Sequence, residues 1–262
     1  MASDEPIIER IAADSSATPS QEAVPNPSLQ ELKAAASALT EDMALLLLKR
    51  NDLPAEILER VSKNRSVVKS RKVKLALVEH PRTPRHLSMP MLRHLFTFDL
   101  MRVALAPAVP ADVKLAAEES LIQRLEAVSI GEKLSLARRA SGRISGVLLL
   151  DPEARVVSTA LENSRLTEAT VIKVLIRQDA PARFVELVCH HSKWSVRRDV
   201  RIALLRNEKT PLARALEFAR SLPASSVSEI LQASRLPTHI KAHLLKDAKE
   251  RSGLSPTQIS SC

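Results

Sequence analysis

Cys189, His190 and His191 are adjacent in this chain, and His239 and His243 stand four residues apart, on one side of any helix they share. Each group offers two metal ligands, whereas a zinc site needs three or four with hydrogen-bond support behind them. A thiol beside imidazoles is also the raw material of a nucleophile. Side chains adjacent on a helix diverge, however, so neither neighbouring histidine is placed to take the proton. A chain with only 4 glycines holds no phosphate-cradling loop. These residues predict no catalytic centre, no metal and no cofactor, and hence a protein that is not an enzyme.

The charged residues say more. Lys63, Arg65, Lys69, Arg71, Lys72 and Lys74 crowd into twelve residues without an acid among them. Arg65, Lys69 and Lys72, at i, i+4 and i+7, predict one cationic helical face. Arg82, Arg85, Arg93 and Arg102 extend it, opposed by Glu79 and Asp99 alone. A second group is Trp194, Arg197, Arg198 and Arg201, where Ser195 is placed to cap a helix projecting the arginines together. Both groups are candidate partner-binding sites, for an acidic protein segment or for nucleic-acid phosphates with the indole stacking on a base. The competing reading is structural: lysines lying over apolar neighbours, and arginines supporting adjacent turns.

Residues 1–42 contain eight acidic side chains against Arg10 and Lys33, a net of −6, which leaves +15 of the overall +9 on the remainder. A basic body behind an acidic segment predicts an anionic partner, or a segment that masks the body. Ser, Pro and acid dominate residues 1–28, read as a disordered tail, with a helical turn over 6–13. Ordered structure is expected from Ser28, where Glu31 could complete a capping box. Two cysteines make no disulfide framework, the opening residues lack a secretory pattern, and no apolar run approaches the ~20 residues of a membrane span. A cytoplasmic setting is the expectation.

What must position these residues is helical. Hydrophobic residues make up 45% of the chain but aromatics only 2%, so Leu, Ala, Val and Ile carry the core; 16 prolines against 4 glycines favour helices with proline-marked turns over hairpins. Pro54, Pro84, Pro110, Pro152, Pro181, Pro211 and Pro237 each precede an apolar-periodic segment and are expected at the first helical position, with Thr83, Asp151 and Thr210 as side-chain caps. The intervals are mostly 25–30 residues, and the long one between 110 and 152 predicts a degenerate copy at 141–145. The helix before a landmark ends in a break, often at Asn or His, and Asn tolerates the left-handed stop. A last helix over 240–251, stopped by Gly253, would close the array before a disordered tail at 253–262.

The phrases Ala137-Arg138-Arg139, Val156 to Asn163 and Leu166-Thr167 carry a resemblance to HEAT-like repeats and to the leucine-rich-repeat-variant helical repeats of bacteria. Within the general likeness over about 40–250, Leu121 to Leu175 is similar to a bacterial domain family of unknown function built from such repeats. The resemblance implies an all-α, right-handed solenoid of stacked helix pairs over 29–252. It also implies a scaffold or adaptor for protein–protein interaction, with nucleic-acid binding as the alternative. An aromatic cleft like that of HEAT-like DNA glycosylases is excluded by one Trp and no Tyr.

Overall fold

The computed structural model describes residues 39–252. The readings of residues 1–28 and 253–262 as disordered tails, of ordered structure from Ser28 to residue 38 and of Gly253 as a stop lie outside that range. Among the described residues there are sixteen α-helices, one 3-10 turn and no strand. The helices are α1 (Glu41–Leu48), α2 (Ala55–Lys63), α3 (Arg65–Val68), α4 (Arg71–Glu79), α5 (Arg85–Leu92), α6 (Thr97–Leu105), α7 (Ala111–Arg124) and α8 (Ile130–Arg139). They continue as α9 (Gly142–Leu148), α10 (Ala154–Leu161), α11 (Glu168–Leu175), α12 (Ala182–His190), α13 (Arg198–Arg206), α14 (Leu212–Arg220), α15 (Ala224–Gln232) and α16 (Thr238–Arg251). No helix among these residues is long and apolar enough to cross a membrane.

From α4 onward each helix touches one two apart in the chain, while α1 reaches α4, three apart. On one side α1 meets α4 and α4 meets α6, α8 meets α10, α10 meets α12, and α14 meets α16. On the other, α5 meets α7, α7 meets α9, α9 meets α11, α11 meets α13, and α13 meets α15. Each helix can do this because it is apolar along one stripe and short. Val156, Val157, Ala160 and Leu161, for example, are the buried residues of α10. Two apolar clusters result. Ten buried residues from Leu39 to Leu77 form the first, and the second runs from Leu75 to Ala248. α4 belongs to both: Val73 and Leu77, one turn apart, face the first, and Leu75 and Val78 face the second.

The prolines mark helix starts one residue earlier than expected. Pro54, Pro84, Pro110, Pro181, Pro211 and Pro237 are all N-cap residues with extended backbone, ψ between 139° and 148°, and Pro223 is a further one. The carbonyl of Pro54 accepts from the N–H groups of Ile57 and Leu58, so the ring stands outside the helix it opens. Pro152 is the exception, since Glu153 is the cap of α10 and the Asp151 carboxylate accepts from the Glu153 N–H. Where spacing predicted a degenerate copy at 141–145 there is a helix, α9, capped by Ser141.

The threonines and the Asn/His stops serve a different purpose from the one expected. Thr83 Oγ1 donates to Leu77 O and Thr210 Oγ1 to Leu204 O, both at 2.6 Å, so each hydroxyl closes the preceding helix and does not cap the next. His80 and Asn207 are extended, with φ −71° and −89°, not left-handed. Their side chains reach back instead. Asn207 Nδ2 donates to Leu175 O at 2.7 Å while its Oδ1 accepts from the Lys209 N–H at 2.9 Å. Asn163 donates to Ala137 O and accepts from the Arg165 N–H in the same way. His80 Nε2 meets Arg50 O at 2.8 Å, and its Nδ1 accepts from the Arg82 N–H. Helix-end carbonyls, which lack intrahelical partners, are thus satisfied by side chains 26 to 32 residues downstream.

Candidate interaction groove

The first basic cluster does not form one helical face. Asn64 caps α3 through its Oδ1, and Ser70, extended and hydrogen-bonded through Oγ to Glu41, separates α3 from α4. Lys69 is therefore the C-cap of α3 and Lys72 belongs to α4. Arg71 is committed. Its guanidinium makes two bonds to Asp99, at 2.7 and 2.8 Å, and lies 4.8 Å from the centre of the Phe96 ring. Asp99 also accepts from the Phe96 N–H at the start of α6, so this contact fixes α6 against α4. Arg102 pairs with Glu79, Arg85 with Asp112, and Arg82 donates to Asp52 O. Lys63 lies 3.9 Å from Glu59. Arg65, Lys69 and Lys72 are exposed and Lys74 half-buried, none in an ion pair among the described residues.

The second cluster is mostly structural. Trp194 is 1% exposed and its Nε1 donates to Leu161 O at 2.9 Å, closing the end of α10. An indole so buried has no face for a partner's base. Lys193 lies 4.2 Å from its ring centre. Ser195 does not cap the helix; Arg197 is the N-cap residue of α13, and Ser195 O accepts from Arg201 Nε at 2.7 Å. Arg197 donates to Glu168. Arg198 alone is exposed and without a partner among the described residues. This helix packs against α11, α14 and α15, whereas α4 packs against α1, α3, α5 and α6, so the two clusters do not share a neighbouring helix in the main contacts.

The cysteine and histidines of the opening motifs stay apart in chemistry. Cys189 is fully buried, and burial pushes its thiol up to about 12, with Arg214 opposing weakly. A thiol held that high is not a nucleophile at neutral pH. His191 Nδ1 accepts from the Lys193 N–H, and its Nε2 lies 3.1 Å from Glu162. Among the described residues, no three His, Cys, Asp or Glu side chains gather as a metal site would require.

What the structure does bring together is a pair of adjoining concavities on α1, α4 and α6. One, about 710 Å³, is lined by Leu45 and Leu46 of α1, its C-cap Lys49, and Lys72, Ala76 and Glu79 of α4. The next, about 700 Å³, is lined by Phe98, Met101, Arg102 and Leu105 of α6 and by Arg139 of α8. The Glu79–Arg102 pair, 2.6 Å between Oε1 and Nε, borders both. The floor is apolar and open: Leu46 is 63% exposed and Phe98 40%. Lys49, Lys72 and Arg139 supply the unneutralised charge at the rim, with Asp42 opposing. The sequence did hold a signal for this groove. Four consecutive leucines, 45 to 48, cannot all face inward from one helix; Leu48 is buried and Leu46 must project. No protein-family model, curated protein or solved structure matches this chain.

Proposed function

We propose that this protein is a non-catalytic scaffold or regulatory adaptor, a right-handed solenoid of HEAT-like helix pairs whose α1–α4–α6 groove holds an acidic, helical segment of a protein partner. The groove carries the proposal. An open apolar floor rimmed by Lys49, Lys72 and Arg139 suits a short amphipathic helix with acid on its flanks. The side-chain bonds that reach back 26 to 32 residues support the repeat reading, because each ties one helix end to the next unit. The test places a photo-crosslinking residue at 46 or at 98 in the full chain. In nuclease-treated extract of the source cells, one saturable protein adduct is expected, lost on Lys72→Glu with Ala76→Asp. No adduct at either position overturns the proposal.

Nucleic-acid binding is the second reading, supported by exposed Arg65, Lys69 and Lys72. With Arg71 paired to Asp99 and Trp194 buried, it retains one short patch. Binding to duplex DNA or single-stranded RNA that falls steeply with salt, and vanishes in Lys69→Glu/Lys72→Glu, would favour it over the adaptor.

A further inference from the structure

We infer that the groove's resident occupant is the chain's own acidic segment around residues 4–14, so that a partner must displace it. The inference rests on the groove reading above and adds its regulation. Three observations converge. Asp4, Glu5, Glu9 and Asp14 surround Ile7, Ile8 and Ile11, and Ile7 and Ile11 are four residues apart, on one side of any helix the segment adopts. This is the chemistry that a greasy floor with a cationic rim selects. The described chain begins at Leu39, and the next helix, α1, is itself a groove wall through Leu45, Leu46 and Lys49. The tether thus starts beside the site. Between Asp14 and Leu39 the chain can span up to about 80 Å at roughly 3.3 Å per residue, so reach is not limiting. A tethered segment is present at an effective concentration on the order of millimolar, which lets a weak contact compete with a free partner. Finally, residues 1–38 hold six acids against Arg10 and Lys33, while Lys72 and Lys49 at the rim have no ion pair among the described residues.

The segment carries its own reporter, since trypsin cuts after Arg10. In the full chain this cleavage is expected to run about tenfold faster in Leu46→Asp than in the wild type, although the sequence around Arg10 is unchanged. Leu46 is 63% exposed, so the substitution spares the core. Lys72→Glu is expected to accelerate it as well, and both effects to shrink at high salt. A fluorescein-labelled peptide of residues 2–16 should bind the Ile8→Asp/Ile11→Asp chain several-fold more tightly than the wild type, whose own segment competes. Equal cleavage rates together with equal peptide binding overturn the inference. If the crosslinked partner adduct is nonetheless lost in the groove variants, the groove reading stands and only its resident occupant is removed.

Discussion

His80, Asn163 and Asn207 do one job with two chemistries. Each accepts the N–H two residues ahead and reaches a carbonyl 26 to 32 residues back, at or just past a helix end. The imidazole does so only while neutral: Nδ1 accepts from Arg82, so the ring proton sits on Nε2, facing Arg50 O. The ring is 3% exposed, and burial with the nearby Arg82 charge lowers its pKa below 6.5, against the Arg50 carbonyl and Asp52, which raise it. The unfolded chain therefore takes up a proton before the folded one does. Stability from this group is fully present above about pH 6.5 and is lost as pH falls below it. Thermal melts at pH 7.5 and 5.5 should show this loss in the wild type and a smaller one in His80→Asn. An asparagine amide bridges the equivalent groups at 163 and 207 without titrating. His80→Ala should instead lose about 1–3 kcal/mol at pH 7.5, because both ring hydrogen bonds are removed, and less relative to the wild type at pH 5.5. An identical pH response in His80→Asn and wild type would show that the imidazole does not report through these bonds.

At the level of the helices, three glycines separate close approach from mere permissiveness. A Cβ at Gly142 would lie 2.5 Å from Arg165 O, and one at Gly146 would lie 2.6 Å from Thr170 Cγ2; at Gly131 it would meet nothing within 4 Å. Gly142 and Gly146 sit on α9, a helix of 7 residues pressed between α7 and α11. Urea unfolding should rank the alanine variants accordingly. Gly142→Ala loses most, about 2–3 kcal/mol, because a backbone carbonyl cannot rotate aside, and Gly146→Ala loses about 1–2. Gly131→Ala gains roughly 0.5–1 kcal/mol from better helix propensity. Much of the helical layout was legible in the sequence because prolines at helix starts and apolar periodicity are local signals. A helix near 141–145 could be anticipated from spacing alone. The reach of Asn207 to Leu175, of Trp194 to Leu161 and of Arg71 to Asp99 could not, since each depends on which helix lies alongside. A recurring Asn/His-x-Lys/Arg, at 80–82, 163–165, 191–193 and 207–209, was the one trace of that packing left in the chain. The same dependence explains why the basic cluster looked like a single face: the break at Ser70 is secured by Glu41, twenty-nine residues away.

Over the whole molecule, the two apolar clusters make the region before α4 a separate cooperative unit. Ten buried residues hold α1 to α4 together, while the second cluster is continuous from Leu75 to the last helix. Only α4 contributes buried residues to both, with half-buried Met91 packed against each. A unit with so small a core opens at lower free energy than the rest, and its amides should exchange first. Hydrogen exchange is therefore expected to be faster across α1 to α3 than across α8 to α13. Leu58→Ala, which empties a fully buried site worth about 2–5 kcal/mol, should accelerate α1 to α3 further and leave α8 to α13 unchanged. Uniform acceleration through both regions would mean that α4 transmits the loss and the molecule opens as one body. The distinction matters for the groove, because α1 belongs to the weaker unit and α6 to the stronger. An occupant bridging Leu46 and Phe98 would tie the two together across α4. Slower exchange in α1 to α3, with no change in α8 to α13, is then the signature of an occupied groove.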